Sequence, residues 1–414
     1  MASRCFQFSI VWPVLFSLTS LLSAQMLVEN LRGPATKGET DSFLSFISSA
    51  QPAASNENNA WSYGPSGQMI RAAGLVYQIN RDTRVLDRML FFCDSMLSER
   101  NDLALAPVGQ HIIWTGRVDP AWPNVLAKDP LSTGGEQGDP VGHLGNCAVT
   151  VLQAPALWQK TVPDGDPHRF GSTYLARAKY YVKQADDAVD GHILNGLLDL
   201  SHNDHQYFSA KSPYKGGTPV PWNQQMMFNY AFQELATAHS LLKDDPARVA
   251  QYRKIVTDSM EWFFTESVQI STDRQGRQVY NWGYAMPDKH GEDATHASMD
   301  IAGFYLAYLD GGYGVDREKM TRFADTFLDV MTLAPGNFAG RVDGTSGAGH
   351  GSPTTTIRGG YLFLAEFRPQ AYFDMANTQF KEGQQISNPE LFSRWLWVKS
   401  RLVKTEQSLS ATNK

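Results

Sequence analysis

Residues 82–97 read DTRVLDRMLFFCDSML, and the apolar side chains in this stretch recur three and four positions apart. They are Val85, Leu86, Met89, Leu90, Cys93, Met96 and Leu97. This spacing places them on one face of an α-helix. The stretch therefore predicts an amphipathic helix with a buried apolar face.

The same helical period recurs along most of the chain, whereas few stretches alternate as a strand would. The segments that show it are 41–50, 66–79, 145–159, 174–189, 224–242, 252–263, 293–309, 320–331, 357–366 and 389–403. The pattern predicts an all-α protein of about eleven or twelve helices. Long loops rich in glycine and proline separate them, at 101–142, 200–222, 271–291 and 335–356. Loops of this length in a compact protein are usually functional.

Paired helices and long loops favour one catalytic domain over residues 25–403. We expect an (α/α) toroid, or barrel, of about six or seven helical hairpins, with the loops at one end forming a cleft. An open superhelical array of the same hairpins is the alternative architecture.

The two ends of the chain have different compositions from this domain. Arg4 is followed by an apolar run from Phe8 to Leu22 and then by Ser23 and Ala24. This order is typical of a secretory signal peptide, so we expect residues 1–24 to be removed and the protein to be secreted to the extracellular space. The polar tail 404–414 is expected to be disordered.

Charge and cysteine content exclude several classes of function. The 36 lysines and arginines against 42 aspartates and glutamates give a net charge of −6, with no basic run, which argues against nucleic acid and membrane partners. Cys5 belongs to the predicted signal peptide. Cys93 and Cys147 could form a disulfide or remain buried thiols, and their spacing is not that of a zinc site.

The densest group of polar and aromatic residues lies at 274–300, RQGRQVYNWGYAMPDKHGEDATHASMD. If a helix begins near Glu292, then Glu292, His296 and Asp300 share one of its faces. An exposed helix start with acidic residues near the positive end of the dipole is the simpler interpretation. It leaves Arg274, Tyr280, Trp282 and Tyr284 unexplained.

Aromatic and polar residues also collect in the other loops and at helix starts. They are Trp61 and Tyr63; His111, Trp114, Arg117 and Trp122; His143 and Asn146; His202, Asn203, His205 and Tyr207; and Trp222, Asn223, Gln224 and Gln225. Flat aromatic rings stack on the C–H faces of sugars, while amides and charges meet the hydroxyls. The collection predicts an extended carbohydrate cleft.

The segment NQQMMFNYAF at 223–232, followed some fifty residues later by an arginine and tyrosine segment ending in YAM, resembles the helical-toroid polysaccharide lyases. The likeness is to alginate lyases of family 5 and alginate/glucuronan lyases of family 38. It implies that Asn223, Gln224 and Gln225 form the first site element, with Arg274 or Arg277 and Tyr280 or Tyr284 in the second. Family 5 carries a histidine beside the asparagine, where this chain has glutamine.

The reaction of these lyases, β-elimination, needs neutralisation of the uronate carboxylate, a base at C5 and an acid at O4. Asn223 or Gln224 with an arginine would neutralise the carboxylate, and one tyrosine can both take the C5 proton and pass it to O4. Tyr280 is the first choice because it lies nearest in sequence to Arg274 and Arg277. Tyr284 is the second choice, and His205 and His296 are alternative bases. Substrate binding is assigned to Gln224, Gln225, Trp222, His143, Asn146, Arg277, Glu292 and Trp114.

The sequence thus predicts a secreted, monomeric lyase acting on an acidic polysaccharide such as glucuronan or alginate, without a cofactor. The acidic face around Glu292, together with Asp293, His296 and Asp300, lacks a recognised metal-site spacing, and we expect no metal. One alternative is a glycoside hydrolase using Glu292 or Asp293 as acid and Asp204 or Asp139 as base. A non-catalytic sugar-binding protein is the other.

Overall fold

The computed structural model describes residues 25–52, 65–106, 109–123 and 131–412. The predicted signal peptide and two of the loop aromatics, Trp61 and Tyr63, lie outside these ranges. The α-helices are α1 (Lys37–Ser49), α2 (Pro65–Asn80), α3 (Thr83–Ser98), α4 (Gly138–Leu152), α5 (Tyr174–Ala188), α6 (Trp222–Leu242), α7 (Pro246–Trp262), α8 (Ala294–Asp310), α9 (Arg317–Asp325), α10 (Pro369–Ala376) and α11 (Pro389–Thr412).

Strands are short and pair only in twos within the described chain. They are β1 (Met26–Leu27), β2 (Leu198–His202), β3 (His205–Phe208), β4 (Gln269–Thr272), β5 (Gln278–Asn281), β6 (Thr332–Ala334), β7 (Asn337–Phe338) and β8 (Gln385–Ile386). All the pairs are antiparallel: β1 with β8, β2 with β3, β4 with β5 and β6 with β7. The prediction of a mostly helical protein is confirmed.

Side-chain caps fix where several helices begin. Thr36 and Glu39 form a reciprocal capping box at the start of α1. Asp82 and Asp293 accept backbone N–H groups at the starts of α3 and α8. The apolar stripe predicted at residues 85–97 is buried, as expected.

Six elements line one central cavity, and we call them the inner elements: α2, α4, α6, α8, the 3₁₀ helix Gly359–Glu366 and α11. Each packs against the next in that order, and α11 packs against α2, so the contacts form a closed circuit. The helices α3, α5, α7, α9 and α10 pack outside them. The cavity has a volume of about 620 Å³.

Three glycines let α4 approach α6 closely. A Cβ at Gly138 would lie 2.3 Å from the backbone of Met227, one at Gly142 would lie 2.2 Å from the Tyr230 ring, and one at Gly145 would lie 2.7 Å from Glu234. Because these contacts advance in the same direction along both helices, α4 and α6 run parallel. Their N-terminal ends therefore lie at the same end of the cavity.

One structural unit, an α-helix followed by a π-helical segment and a β-hairpin, occurs three times in the described chain. Each of α5, α7 and α9 ends in a π-helical segment, at Val189–Leu197, Phe263–Ser267 and Thr326–Met331. A β-hairpin follows directly in each case, and the chain then enters α6, α8 or the 3₁₀ helix Gly359–Glu366. The loops predicted at 200–222 and 271–291 thus contain strands that their sequences did not reveal.

Covalent and ionic links join distant parts of the chain. Cys93 and Cys147 form a disulfide between α3 and α4, which selects one of the two alternatives left open by the sequence. The buried Lys399 of α11 contacts Glu39 of α1 at 2.8 Å. Removing one partner from such a buried pair leaves an uncompensated charge and is strongly destabilising.

The predicted disordered tail is helical over most of its length. Helix α11 continues to Thr412, past the predicted boundary at residue 403. The tail residues lack glycine and proline, so nothing in their composition stops a helix that has already begun.

Replacing Gly138 with alanine should weaken the α4–α6 contact. The backbone of Gly138 has φ −63° and ψ −38°, which alanine adopts freely, so the cost is steric. A methyl group 2.3 Å from backbone atoms forces the two helices apart, and we expect a loss of about 2–3 kcal/mol in the free energy of unfolding, measured by urea denaturation. In the control Gly196→Ala the nearest atom is 3.7 Å away, and the change should stay within about 0.5 kcal/mol. Equal effects of the two substitutions would contradict this account of the packing.

Candidate functional site

The two candidate tyrosines of segment 274–300 lie in different environments. Tyr280, on β5, is 2% exposed and packs against Phe323 with ring centroids 4.9 Å apart. Its hydroxyl accepts a hydrogen bond from Arg322 of the outer helix α9 at 3.4 Å. A ring enclosed in this way cannot reach a polysaccharide. The choice of Tyr280 as the base is therefore dropped.

Tyr284, the second choice, lies beyond the end of β5 and is half-buried. Its backbone carbonyl accepts the N–H of Trp222 at 3.0 Å, which holds it at the start of α6. The Lys215 ammonium donates a hydrogen bond to the Tyr284 hydroxyl at 2.8 Å and lies 4.5 Å from the ring centroid. The pKa of Tyr284 is raised above its usual value, mainly by burial and to a smaller extent by the nearby Tyr214 and Glu292.

His296 is the charged histidine of this region. Its Nδ1 lies 2.6 Å from Asp293 and 3.7 Å from Glu292, and its ring centroid is 5.1 Å from that of Tyr284. Burial by itself lowers the pKa of His296, but the hydrogen bonds to Asp293 and Glu292 outweigh it and raise the pKa to about 10. His296 is therefore an imidazolium at neutral pH. The exposed His350 lies on its other side, with ring centroids 5.5 Å apart.

The amides at the start of α6 behave differently from one another. Gln224 donates to the Tyr214 hydroxyl at 2.6 Å. The buried carbonyl oxygens of Asn223 and Gln224 have no hydrogen-bond partner within the described residues. Unpaired buried acceptors are costly, so a ligand donor at this point would be favourable. Gln225 is fully buried, and its amide is taken by Val220 and Ser259, so it serves the core.

Two buried carboxyl groups lie behind His296. Trp282 donates to Asp300 at 2.9 Å, and burial raises the pKa of Asp300 well above its ordinary value. Burial also raises the pKa of Glu292. The second oxygens of both carboxyl groups have no partner in the part of the chain described. Because like charges this close repel, the pair is favoured with a proton bound.

Glu292 also belongs to a group of residues whose side chains are potential metal ligands. Ligand atoms of Glu292, Asp293 and His296 lie within 4.8 Å of one another, which is compact enough to hold a metal ion. The short contact between His296 and Asp293 already satisfies both groups as an ion pair, and Lys215 lies near Glu292. The expectation of no metal stays a prediction.

The two arginines assigned to the site lie away from Tyr284. Arg274 is exposed in the turn between β4 and β5. Arg277 pairs with Asp329 at 2.5 Å. Among the described residues, neither arginine has a contact with a member of the Tyr284 cluster. Lys215 and His296 are the cations that the fold brings there instead.

The remaining predicted residues divide between the outer layer and the cavity. His205 stacks on Trp262 with centroids 4.1 Å apart, and Trp222 is fully buried against Trp262. Trp114 donates weakly to Thr133 at 3.4 Å and packs both against the main core and against a small cluster of Ile113, Ala121 and Leu131. This placement does not support His205 as a base, nor Trp222 and Trp114 as residues that bind the substrate.

Two other predicted residues face the inner helices. His143 is buried, with Nδ1 3.3 Å from the Tyr230 hydroxyl. Asn146 lines the cavity and donates to Glu234 at 3.0 Å. Asn223 lines the same cavity, at the end where α6 begins. The cavity and the Tyr284 cluster are thus neighbours.

We missed three members of the cluster in the sequence: Tyr214, Lys215 and His350. Tyr214 and Lys215 lie in a turn and His350 lies in the short 3₁₀ helix Gly349–Gly351, and neither segment has a periodic sequence pattern. Lys215 adopts a left-handed backbone conformation with φ 49°. Only the folded chain brings Lys215 to Tyr284, 69 residues away.

Comparison with known proteins adds no assignment: the chain matches no family model, no curated protein and no solved structure. Among the described helices, none combines the length and the apolar character needed to cross a bilayer.

The ion pair of His296 should make stability depend on pH. The pKa of the imidazole is raised from 6.5 to about 10 on folding, so the stabilisation is complete below pH 6.5 and is lost as the pH rises through 10. We expect His296→Asn to lower the free energy of unfolding by about 1–3 kcal/mol at pH 6, and by much less at pH 10. Urea unfolding at both values measures this.

A second histidine provides the control for that experiment. His290 also contacts an aspartate, Asp288 at 2.7 Å, but its side chain is 92% exposed. Exposed pairs contribute little, so His290→Asn should change stability only slightly at either pH. A His296→Asn penalty that is the same at pH 6 and pH 10 would refute the charged pair.

Proposed function

We propose that this protein is a polysaccharide lyase that cleaves a 1,4-linked polyuronate by β-elimination, with Tyr284 transferring the proton. The observation that carries the proposal is the Tyr284 hydroxyl, held at 2.8 Å by Lys215 beside the charged His296 and the amides of α6. A general acid-base, cations and amide groups are the components that elimination from a uronate requires.

Recognition of the substrate carboxylate falls to the positive and amide groups. Lys215 and His296 supply positive charge, and Asn223 and Gln224 supply amides at the N-terminal end of α6. Helix N-termini favour anions. As C5 loses its proton, negative charge spreads onto the carboxylate, and these groups stabilise that charge more than the ground state.

Proton transfer by Tyr284 needs its phenolate form. Burial and the neighbouring acidic groups keep Tyr284 protonated at rest, so its phenolic proton must first pass to solvent water, and the Lys215 ammonium beside the hydroxyl stabilises the phenolate that remains. The phenolate takes the C5 proton while the C4–C5 double bond forms and the C4–O4 bond breaks. The same proton then passes to O4 of the leaving chain, so the tyrosine returns to the phenolate. No separate histidine base is required.

We also propose an (α/α) toroid architecture and secretion for this enzyme. The closed circuit of contacts among the inner elements supports an (α/α) toroid, with the Tyr284 cluster at the end where α6 and α8 begin. The Cys93–Cys147 disulfide supports folding in an oxidising compartment, in keeping with secretion.

A glycoside hydrolase is the second candidate, and one observation favours it. Burial raises the pKa of Glu234 to about 8 and that of Asp139 to about 6, and both residues line the cavity. A carboxylic acid that remains protonated near neutral pH is what a glycosidase needs as its general acid. The base first suggested, Asp204, instead pairs with Lys254 at 2.7 Å on an exposed turn.

Incubation with glucuronan, polymannuronate, polyguluronate and pectate separates these candidates. A lyase leaves a C4–C5 double bond conjugated with the carboxylate, so near-ultraviolet absorbance should rise on at least one polymer, and it should do so in excess chelator. New reducing ends without absorbance would assign the protein to the hydrolases. Neither signal on any polymer would leave a sugar-binding protein.

Tyr284→Phe and Tyr280→Phe form the matched pair within that assay. Loss of the Tyr284 hydroxyl should lower turnover at least about a hundredfold, the usual scale for general acid-base catalysis. Tyr280→Phe removes a hydroxyl buried beside Arg322 and should leave turnover within a few fold of the wild type. The reverse ranking would show that the wrong tyrosine has been chosen.

A further inference from the structure

The central cavity joins the Tyr284 cluster at one end. Asn223, in the first turn of α6, lines the cavity, and so does Thr295, the residue before His296 on α8. The proposed elimination uses no residue of the cavity beyond the first turns of α6 and α8. Its lining nevertheless has the mixed character of a ligand site.

The cavity is long enough for several sugars. On α6 its lining runs from Asn223 to Glu234. At 1.5 Å per residue this distance is roughly 16 Å, about the length of three pyranose units. A volume of about 620 Å³ lies within the range of small-molecule sites.

The walls alternate apolar surface with polar groups. Met226, Met299 and Leu306 present apolar surface, suited to the C–H faces of sugar rings. Polar groups come from Asn146 and Glu234, which are hydrogen-bonded to each other at 3.0 Å. Because burial raises the pKa of Glu234 to about 8, it is neutral near pH 7 and does not repel a carboxylate.

Charges in the cavity do not oppose an acidic ligand either. Arg71 pairs with Asp139, and Arg394 pairs with Glu390, so both arginines have a local counter-ion. Arg358, also in the lining, is exposed. With Glu234 protonated, the lining carries a small positive excess. Near Asn223, the buried amide oxygen lacks a partner among the described residues and can accept a sugar hydroxyl.

We propose that the substrate chain enters this cavity, so that sugar units on one side of the cleaved bond bind between α2, α6 and α8 from Asn223 toward Glu234. This inference rests on the proposed lyase function and adds to it a set of subsites inside the molecule. It predicts that affinity and kcat/KM rise with chain length over the first few units, because each unit that enters adds contacts.

Ala302→Trp tests the proposal by filling the cavity. Ala302 lies on the cavity wall in α8, and an indole there should lower kcat/KM for oligouronates of four or more units at least about tenfold, removing their advantage over the shortest substrate that is cleaved. Ala250→Trp places the same side chain on the exposed surface of α7. It should change neither kcat/KM nor the advantage of the longer oligouronates. An unchanged length dependence in a folded Ala302→Trp variant would overturn the proposal.

A second readout needs no bulky substitution. Trp397 lines the cavity, and oligouronates bound to the Tyr284→Phe variant should change its fluorescence. The change should disappear when Trp397→Phe is added, while binding measured by calorimetry persists. If binding leaves the Trp397 signal unaltered, the chain lies outside the cavity. Failure of the lyase function itself is distinguishable, because wild-type protein would then produce no absorbance with any polyuronate.

Discussion

The close approach of α4 to α6 is the constraint on which the rest of the structure depends. Gly138, Gly142 and Gly145 remove the side chains that would separate the two helices and set them parallel. Parallel helices place their N-termini at the same end, so the loops that enter α4 and α6 converge there. A site for an anionic polymer at that end benefits from the positive ends of the helix dipoles.

The distribution of charge in the cluster supports the proposal that it binds a uronate. Lys215 and His296 are the cations next to Tyr284, whereas burial raises the pKa of both Glu292 and Asp300 behind them. The cluster therefore does not repel an incoming carboxylate as strongly as its number of acidic residues suggests. Asp293 holds the imidazolium in place and keeps it charged.

The helices could be predicted from the sequence, because the apolar period of segments such as 85–97 depends only on local geometry. The β-hairpins could not be predicted, because strands of two to five residues are too short to show a clear alternation of apolar and polar side chains. The repeated unit of helix, π-helical segment and hairpin could not be predicted either, because its copies share backbone geometry rather than residue types. The toroid itself stays a proposal.

The residues of the site were only partly predictable, for a related reason. Sequence proximity to the arginines favoured Tyr280, but Tyr280 is buried on β5, Arg274 is exposed in the preceding turn, and Arg277 pairs with Asp329. Whether a side chain on a short hairpin faces the core or the cavity is decided by packing against other elements. Lys215 lies far from Tyr284 in sequence and had no local signal. The amides at the start of α6 and His296, by contrast, were candidates from the sequence: the amides through the resemblance to the lyases, and His296 through the helix face that it shares with Glu292 and Asp300.

The location of a bound uronate tests the account most directly. A crystal structure of the Tyr284→Phe variant with an oligouronate that the wild-type protein cleaves would show it. We expect one carboxylate within hydrogen-bonding distance of Asn223 or Gln224, with C5 of that unit facing the ring of residue 284 and Lys215 beside it. An oligouronate bound with its C5 atoms remote from residue 284, for example along the β4–β5 hairpin near Arg274, would contradict the central claim.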